Sequence, residues 1–124
     1  EETRMTREDV VDMLDKFGRT KEVELCLLIE KNGDIIESGG EDVFYHLETI
    51  SMMAATIYGA ANTANKQLEK DPPEDILIGA EDGHTIVKSV DKNRILVVRT
   101  ENKGDIEKVK KHLKIAKNYI LKHW

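Results

Sequence analysis

Seventeen consecutive residues in the middle of the chain, Thr49 to Asn65, carry no charge. They lie in a segment, about Val43 to Lys70, where apolar residues recur at alternating spacings of three and four, which predicts a long α-helix. The stripe consists of Leu47, Ile50, Ala54, Ile57, Ala61, Ala64 and Leu68. A helix that packs on a sheet normally carries charge on its outer face. We therefore expect a second surface to cover this helix.

The second face of this helix consists of small or uncharged residues, which permit close approach of another helix. The segment is too short and too rich in Ser, Thr, Asn and Gly to cross a bilayer. The simplest cover is the same helix of a second copy about a two-fold axis; the alternative is another helix of the same chain. The contact residues that we predict on this helix are Met53, Thr56, Gly59, Ala60 and Thr63.

Five short β-compatible runs surround the long helix, and turn dipeptides separate neighbouring runs. The runs are Val23–Glu30 and Asp34–Ser38, joined at Asn32-Gly33, and then Asp75–Ala80, His84–Val90 and Arg94–Thr100, joined at Asp82-Gly83 and Asp91-Lys92-Asn93. Further helices are predicted over Thr6–Gly18 and from Gly104 onward. The order α-β-β-α-β-β-β-α predicts an α/β (α+β) sandwich with a five-stranded, mainly antiparallel sheet, and one domain over residues 1–124.

The strand Asp75–Ala80 has the features of a sheet edge. It follows Pro72-Pro73, and its centre, Ile76, Leu77 and Ile78, contains no lysine or proline to block pairing with another chain. Monomeric proteins usually protect such an edge. We therefore add these three residues to the predicted dimer interface.

Composition excludes several classes of function. The net charge of −5 argues against nucleic-acid binding, and the lone Cys26, within an apolar run, predicts a buried thiol rather than a disulfide or a catalytic group. No phosphate-binding GxxxxGK[ST] loop, HExxH, GxSxG or CxxC occurs, and the four histidines show no metal-ligand spacing. We expect a non-enzymatic protein without cofactor or metal, and a cytoplasmic one without membrane association, since no signal or membrane-spanning pattern is visible.

Charge is distributed unevenly along the chain. From Lys103 to Trp124, seven lysines face Asp105 and Glu107, a balance of +5, so the rest of the chain carries −10. A basic final helix on an acidic body is a candidate docking surface for an acidic partner. The alternative is a solvated helix face without a partner.

Four features together resemble the Roadblock, or dynein light-chain, family over Thr6 to Ile120. They are the hairpin LCLLIEKNGDIIESG, the helix ETISMMAATIYGAANTANKQL, the three-strand run EDILIGAEDGHTIVKSVDKNRILVVRT, and Gly104 before the last helix. The resemblance implies a profilin-like architecture and a homodimer built by the long helices and by the third strand. It also implies binding to a Ras-like small GTPase, a dynein intermediate chain or another scaffold. Arg94 and Arg99 are then the strand-borne candidates to assist a GTPase.

Two functions of different class remain open at this point. The first is a homodimeric scaffold or regulator of a small GTPase or motor partner. The second is a sensory, ligand-binding module of the PAS, GAF or profilin-like type, with a pocket between sheet and helix. Aromatic residues are 5% of the chain, and the long helix offers small residues instead of a ligand cage, which favours the first.

Overall fold

The computed structural model describes Asp12, Met13, Lys16 and residues 23–39, 46–101 and 106–124. Its elements are β1 (Val23–Glu30), β2 (Ile35–Gly39), α1 (Leu47–Gln67), β3 (Asp75–Ala80), β4 (Gly83–Ser89), β5 (Arg94–Thr100) and α2 (Ile106–His123). Asp12, Met13 and Lys16 are helical. The other residues of the predicted helix Thr6–Gly18, and the predicted start at Gly104, lie outside the described residues. The predicted α+β class and element order are confirmed for the described part of the chain.

The five strands form one sheet in the order β2-β1-β5-β4-β3, and every neighbouring pair is antiparallel. α1 connects β2 at one edge to β3 at the other. β1 and β5 are internal, and their side chains are buried on both faces, which explains the nearly continuous apolar run of β1. The predicted edge position of β3 is confirmed.

Alternating side chains of the strands build one core on each face of the sheet. On one face, Cys26, Leu28 and Val98 pack with α2, which contributes Val109, Leu113, Ala116 and Ile120. On the other face, Leu27, Ile29 and Val97 pack with Ala54 and Tyr58 of α1. Full burial of each such aliphatic side chain stabilises the fold by roughly 1.5–3 kcal/mol. The two helices therefore cover opposite faces of the sheet.

The turn between β1 and β2 is longer than predicted. The two-residue hairpin expected at Asn32-Gly33 is a three-residue loop: Gly33 donates its N–H to the Glu30 carbonyl (2.9 Å), and Glu30 donates to Asp34 (2.8 Å). Gly33 alone takes a positive φ, 101°, while the Asn32 side chain accepts the Asp34 N–H at 2.9 Å. Because the side chain of Asn32 closes the turn, this residue needs no left-handed backbone.

The ends of α1 also differ from the prediction of Val43 to Lys70. His46 is not helical, and the helix stops at Gln67. Glu69 then takes a left-handed φ of 57°, and the N–H groups of Glu69 and Lys70 donate to the carbonyls of Lys66 (3.0 Å) and Asn65 (2.8 Å). This Schellman motif ends the helix before Pro72-Pro73. The predicted start at Val43 lies outside the described residues.

Candidate interaction surface

The outer face of α1 is exposed along its length. Its inner face buries Ser51, Ala54 and Tyr58, whereas Met53 is 60% exposed. The other predicted contact residues of the helix are also exposed: Thr56, Gly59, Ala60 and Thr63. The alternative that another helix of the chain covers this face does not hold for the described residues, because Met13 and α2 pack in the opposite core.

The outer face of α1 is weakly polar, and its exposed side chains around Gly59 are small. The Thr56 hydroxyl donates to the Met52 carbonyl at 2.8 Å, so its hydrogen is used within the helix. A Cβ added to Gly59 would meet no atom within 4 Å, so the fold of one chain does not require glycine there. Toward the start of the helix, a shallow cleft of about 330 Å³ is lined by Glu48, Thr49, Met52, Met53 and Thr56. A partner helix can therefore approach closely around Gly59.

Two side chains that the sequence interpretation did not single out hold α1 in place. Ser51 is buried and donates its hydroxyl to the Gly33 carbonyl of the β1–β2 turn. The Tyr58 hydroxyl donates to the Pro73 carbonyl at 3.4 Å, and the Lys31 ammonium lies 4.7 Å from the centre of the Tyr58 ring. Both lie on the face of the apolar stripe, one turn from its members, which is the signal that identifies them.

The edge strand β3 pairs with β4 along one side, and no described strand pairs with its other side. Leu77 is 48% exposed and Ile78 37% exposed. Ile76, which we had grouped with them, is half-buried and packs in the α1-side core. The one charged residue of β3, Asp75, accepts a hydrogen bond from the Lys88 ammonium at 3.0 Å. The edge is therefore apolar and open to a further strand.

These two exposed regions border one core. Ile76 packs against the core that contains Ala54 and Tyr58, so β3 borders the sheet face that α1 covers. We name this region the α1–β3 surface: Met53, Thr56, Gly59, Ala60 and Thr63 of α1, with Ile76, Leu77 and Ile78 of β3. Of its eight residues, seven are exposed in the single chain.

The two candidate arginines are not brought together. Arg94 begins β5 and binds one carboxylate oxygen of Asp91 through Nε (2.9 Å) and Nη2 (2.7 Å). Partial burial tends to raise the pKa of Asp91, but hydrogen bonds from Arg94 and the Asn93 backbone, with the charge of Arg94, outweigh it and lower that pKa. Arg99 lies near the other end of the strand, where its Nη2 donates to Asp82 at 2.7 Å. Each guanidinium is therefore engaged by a carboxylate of its own chain.

A cleft of about 350 Å³ lies between α1 and the sheet in the described part of the chain. Leu25, Ile50 and Val97 contribute its apolar lining, and Glu24, Asp82, Thr85 and Arg99 complete it. The Cys26 thiol faces the opposite core, where burial raises its pKa to about 12, so it remains protonated at neutral pH. Within the described residues, no three His, Cys, Asp or Glu side chains converge as metal ligands.

Neither described helix combines the length and apolar character needed to cross a membrane. α2 carries six lysines and one glutamate, and all of them are exposed except Lys117, which is half-buried. The described residues thus present two chemically different exposed surfaces, the weakly polar α1–β3 surface and the lysine-rich outer side of α2.

Comparisons with known proteins show which family and which solved structures this chain resembles. The family model of the Roadblock/LC7 domain matches residues 9–100, and no curated protein matches the chain. Among solved structures, MglB of Myxococcus xanthus is similar, with a TM-score of 0.85, 16% identity and 94% of each chain covered.

Two further structures have the same fold. One is titled MglB with tetrameric arrangement (TM-score 0.81, 20% identity, 91% of this chain and 85% of that chain). The other is a Roadblock/LC7 domain from Streptomyces avermitilis (TM-score 0.79, 11% identity, 94% of this chain and 96% of that chain). Because the identities are this low, the structural similarity shows the fold alone. The family model spans residues 9–100, which is most of the sequence, and therefore shows the family. The chain belongs to the Roadblock/LC7 family.

Proposed function

We propose that the chain, as a single domain over residues 1–124, is a cytoplasmic, non-enzymatic homodimeric scaffold or regulator that binds a Ras-like small GTPase or a motor or scaffold partner. The observation that carries this proposal is the α1–β3 surface. An uncharged helix face and an apolar strand edge that no described strand pairs with border the same core of the chain. Exposed contiguous apolar surface of this kind marks an interaction site.

A two-fold arrangement satisfies both parts of this surface at once. The outer faces of two α1 helices pack together where Gly59 and Ala60 permit close approach. The β3 edges then pair antiparallel, which supplies partners to their open N–H and C=O groups and joins the two sheets into one. The tetrameric arrangement named for one MglB structure is a property of that protein; it supports self-association as a use of this fold.

Membership of the Roadblock/LC7 family supports a GTPase or motor partner. The chain contains no GxxxxGK[ST] loop, so in this proposal the partner holds the nucleotide. The carboxylate pairing of Arg94 and Arg99 favours regulation by binding over a donated catalytic arginine, because either guanidinium would first have to leave its own carboxylate.

The ligand-binding alternative has weaker support. The cleft lined by Leu25, Ile50 and Val97 is of a size that holds a small molecule. None of the described residues that line it is aromatic, however, and its guanidinium, on Arg99, already pairs with Asp82. Ligand sites usually combine aromatic walls with polar groups that are available to the ligand. A thermal-shift screen with small metabolites tests this alternative directly.

The first experiment measures molar mass by light scattering over a dilution series. We expect the unsubstituted chain to have twice the mass of one chain and Ala60→Glu to have the mass of one, because a carboxylate would be buried between two helices. Asn118→Glu, an exposed position on α2, is the matched control and should remain dimeric. A chain that is monomeric throughout the series contradicts the proposal.

The second experiment tests the partner. Ras-like GTPases encoded in the same genome are loaded with GDP or a non-hydrolysable GTP analogue, and binding is measured by biolayer interferometry. We expect one of them to bind, with an affinity that depends on the nucleotide. Failure of every such GTPase to bind the intact dimer would remove the GTPase from the proposal and leave the motor or scaffold partner.

A further inference from the structure

The outer face of α2 belongs to neither of the two cores formed by the described residues, nor to the proposed dimer. The helix buries Val109, Leu113, Ala116 and Ile120 against the sheet. On its outer side lie the exposed residues Lys108, Lys111, Lys114, Ile115, Leu121 and Lys122, which we name the basic face. Since the α1–β3 surface uses the opposite helix, the proposed dimer would not cover this second face.

The charge of α2 contrasts with the rest of the chain. Six lysines and one glutamate give the helix a charge of +5, so the remainder carries −10 for a chain total of −5. Glu107, the one acid, pairs with Lys110 at 3.8 Å on the exposed surface, where such a pair contributes little. Most of the positive charge of α2 is therefore not neutralised by the helix itself.

Two exposed aliphatic side chains lie among these lysines. Ile115 is 60% exposed and Leu121 47% exposed, and they flank Asn118 along a row of the helix with a spacing of three. Neither is needed to hold α2 on the sheet, because the buried residues lie on the other side of the helix. Apolar contact residues within a charged rim are the usual anatomy of a protein interface.

We propose that the basic face of α2 binds an acidic surface of a protein partner, with Ile115 and Leu121 as its apolar contacts. The contact depends on opposite charge, so it accelerates association and weakens with salt. An acidic patch confined to the size of one helix fits this face without approaching the acidic remainder of the chain.

An anionic lipid surface fits the same face less well. A basic helix that binds lipid inserts its apolar face into the bilayer, but here that face is occupied by the sheet through Leu113 and Ile120. A flat bilayer would also meet the neighbouring helical segment, where exposed Asp12 and Lys16 line one groove with Tyr119. Their opposite charges add no net attraction to anionic lipid. The observations therefore favour a protein over a membrane.

The site does not depend on self-association. If the proposed dimer forms, both α2 helices lie on the same side of the joined sheet, because each lies on the face opposite its α1. One dimer then presents two basic faces in the same direction. This arrangement, which does rest on the proposed function, allows a partner with two acidic patches to bind more tightly than one patch does alone.

The test uses two fluorescent synthetic peptides as probes: a helical peptide of Glu and Leu with Leu on one face, and its counterpart with Ser in place of Leu. Anisotropy should show tighter binding of the Glu/Leu peptide and weaker binding of both as salt is raised. Lys111→Glu with Lys114→Glu should weaken binding about tenfold through charge reversal. Ile115→Ser should weaken binding of the Glu/Leu peptide and leave the Glu/Ser peptide unaffected.

The matched control is Lys70→Glu with Lys92→Glu, which changes the net charge equally at exposed positions outside α2. Equal loss in the control overturns the proposal, because net charge alone would then explain binding. Binding to phosphatidylcholine–phosphatidylserine vesicles without binding to either peptide also overturns it, in favour of lipid. Light scattering of the α2 variants should show unchanged mass, which separates failure of this site from failure of the dimer.

Discussion

The two helices of this protein cover opposite faces of one sheet, and their outer faces differ in chemistry. α1 has no charged residue from Thr49 to Asn65, whereas α2 carries six lysines and one glutamate. The requirement to cover an apolar sheet is the same for both and is met by their inner faces. Covering the sheet therefore does not account for the difference outside, which the two proposals above assign to contacts beyond the chain.

The inner faces differ as well, in how firmly each helix is held. α2 buries four aliphatic or alanine side chains in 18 residues, while α1 buries Ser51, Ala54 and Tyr58 in 21. One of those three, Ser51, is polar, and its hydroxyl donates a hydrogen bond to the Gly33 carbonyl. α1 therefore contributes less apolar contact per residue within its own chain, which is consistent with a helix that gains further contact from a partner.

The largest expected effect tests inner against outer position within α2. Leu113→Ala should lower the free energy of unfolding by about 3 kcal/mol, because it opens a cavity in a packed core. Ile115→Ala on the same helix should change it by less than about 0.5 kcal/mol, because that side chain is exposed. Urea unfolding measures both. Equal losses would mean that Ile115 is packed within the chain, against its position here.

The next largest effect concerns the hydrogen bond from Ser51 of α1 to the β1–β2 turn. Ser51→Ala should lower the free energy of unfolding by about 1 kcal/mol, because the buried carbonyl of Gly33 loses its donor. Thr49→Ala, at an exposed position of the same helix outside the predicted contact residues, is the control and should be nearly neutral. If Ser51→Ala is neutral too, packing alone holds the start of α1 on the turn, and the hydroxyl adds nothing.

The end of α1 offers a stabilising change. Glu69→Gly should raise the free energy of unfolding by about 1 kcal/mol, because Glu69 takes a left-handed φ of 57° that costs an L-residue energy. Lys70→Gly next to it should not stabilise, since no strain is relieved there and glycine adds entropy to the unfolded chain. Thermal unfolding of both variants tests whether the left-handed backbone at Glu69, and not the introduction of glycine as such, accounts for the gain in stability.

The smallest expected effect compares one substitution on the outer face of each helix, by its effect on stability and on self-association. Gly59→Ala should stabilise the isolated chain by about 0.5–1 kcal/mol through helix propensity and at the same time weaken self-association, because it adds a methyl group where two helices approach. Asn118→Ala on α2 should stabilise the chain and leave the dimer intact. Unfolding at low concentration and light scattering give the two quantities. An unweakened Gly59→Ala dimer would show that the helices do not approach closely at this glycine.

Much of the fold was predictable because its signals are local. The continuous apolar run of β1 is typical of an internal strand, as the strand order shows it to be. The unprotected Ile76-Leu77-Ile78 predicted an edge, and the strand order confirms it. The length of the β1–β2 loop was wrong, since Asn32 closes the turn with its side chain and leaves the positive φ to Gly33. The end of α1 was also wrong, because a Schellman motif at a glutamate has no glycine to signal it.

The candidate surface was predictable to a similar degree. The contact residues of α1 follow from helical periodicity, and all five are exposed as expected. Within β3, the sequence does not distinguish the three apolar residues from one another. The structure buries Ile76 partly against the α1-side core while Leu77 and Ile78 remain exposed. Whether these residues contact a second copy stays a prediction.

What this sequence determines by itself is the order of its elements and the existence of an uncharged helix face, because helix and strand periods are properties of the local backbone. The tertiary structure alone decided that the strands lie in the order β2-β1-β5-β4-β3, that Ile76 packs on the α1 side of the sheet, and that Arg99 pairs with Asp82. Those arrangements join residues distant in the chain. They depend on how several faces pack at once, which no local pattern specifies.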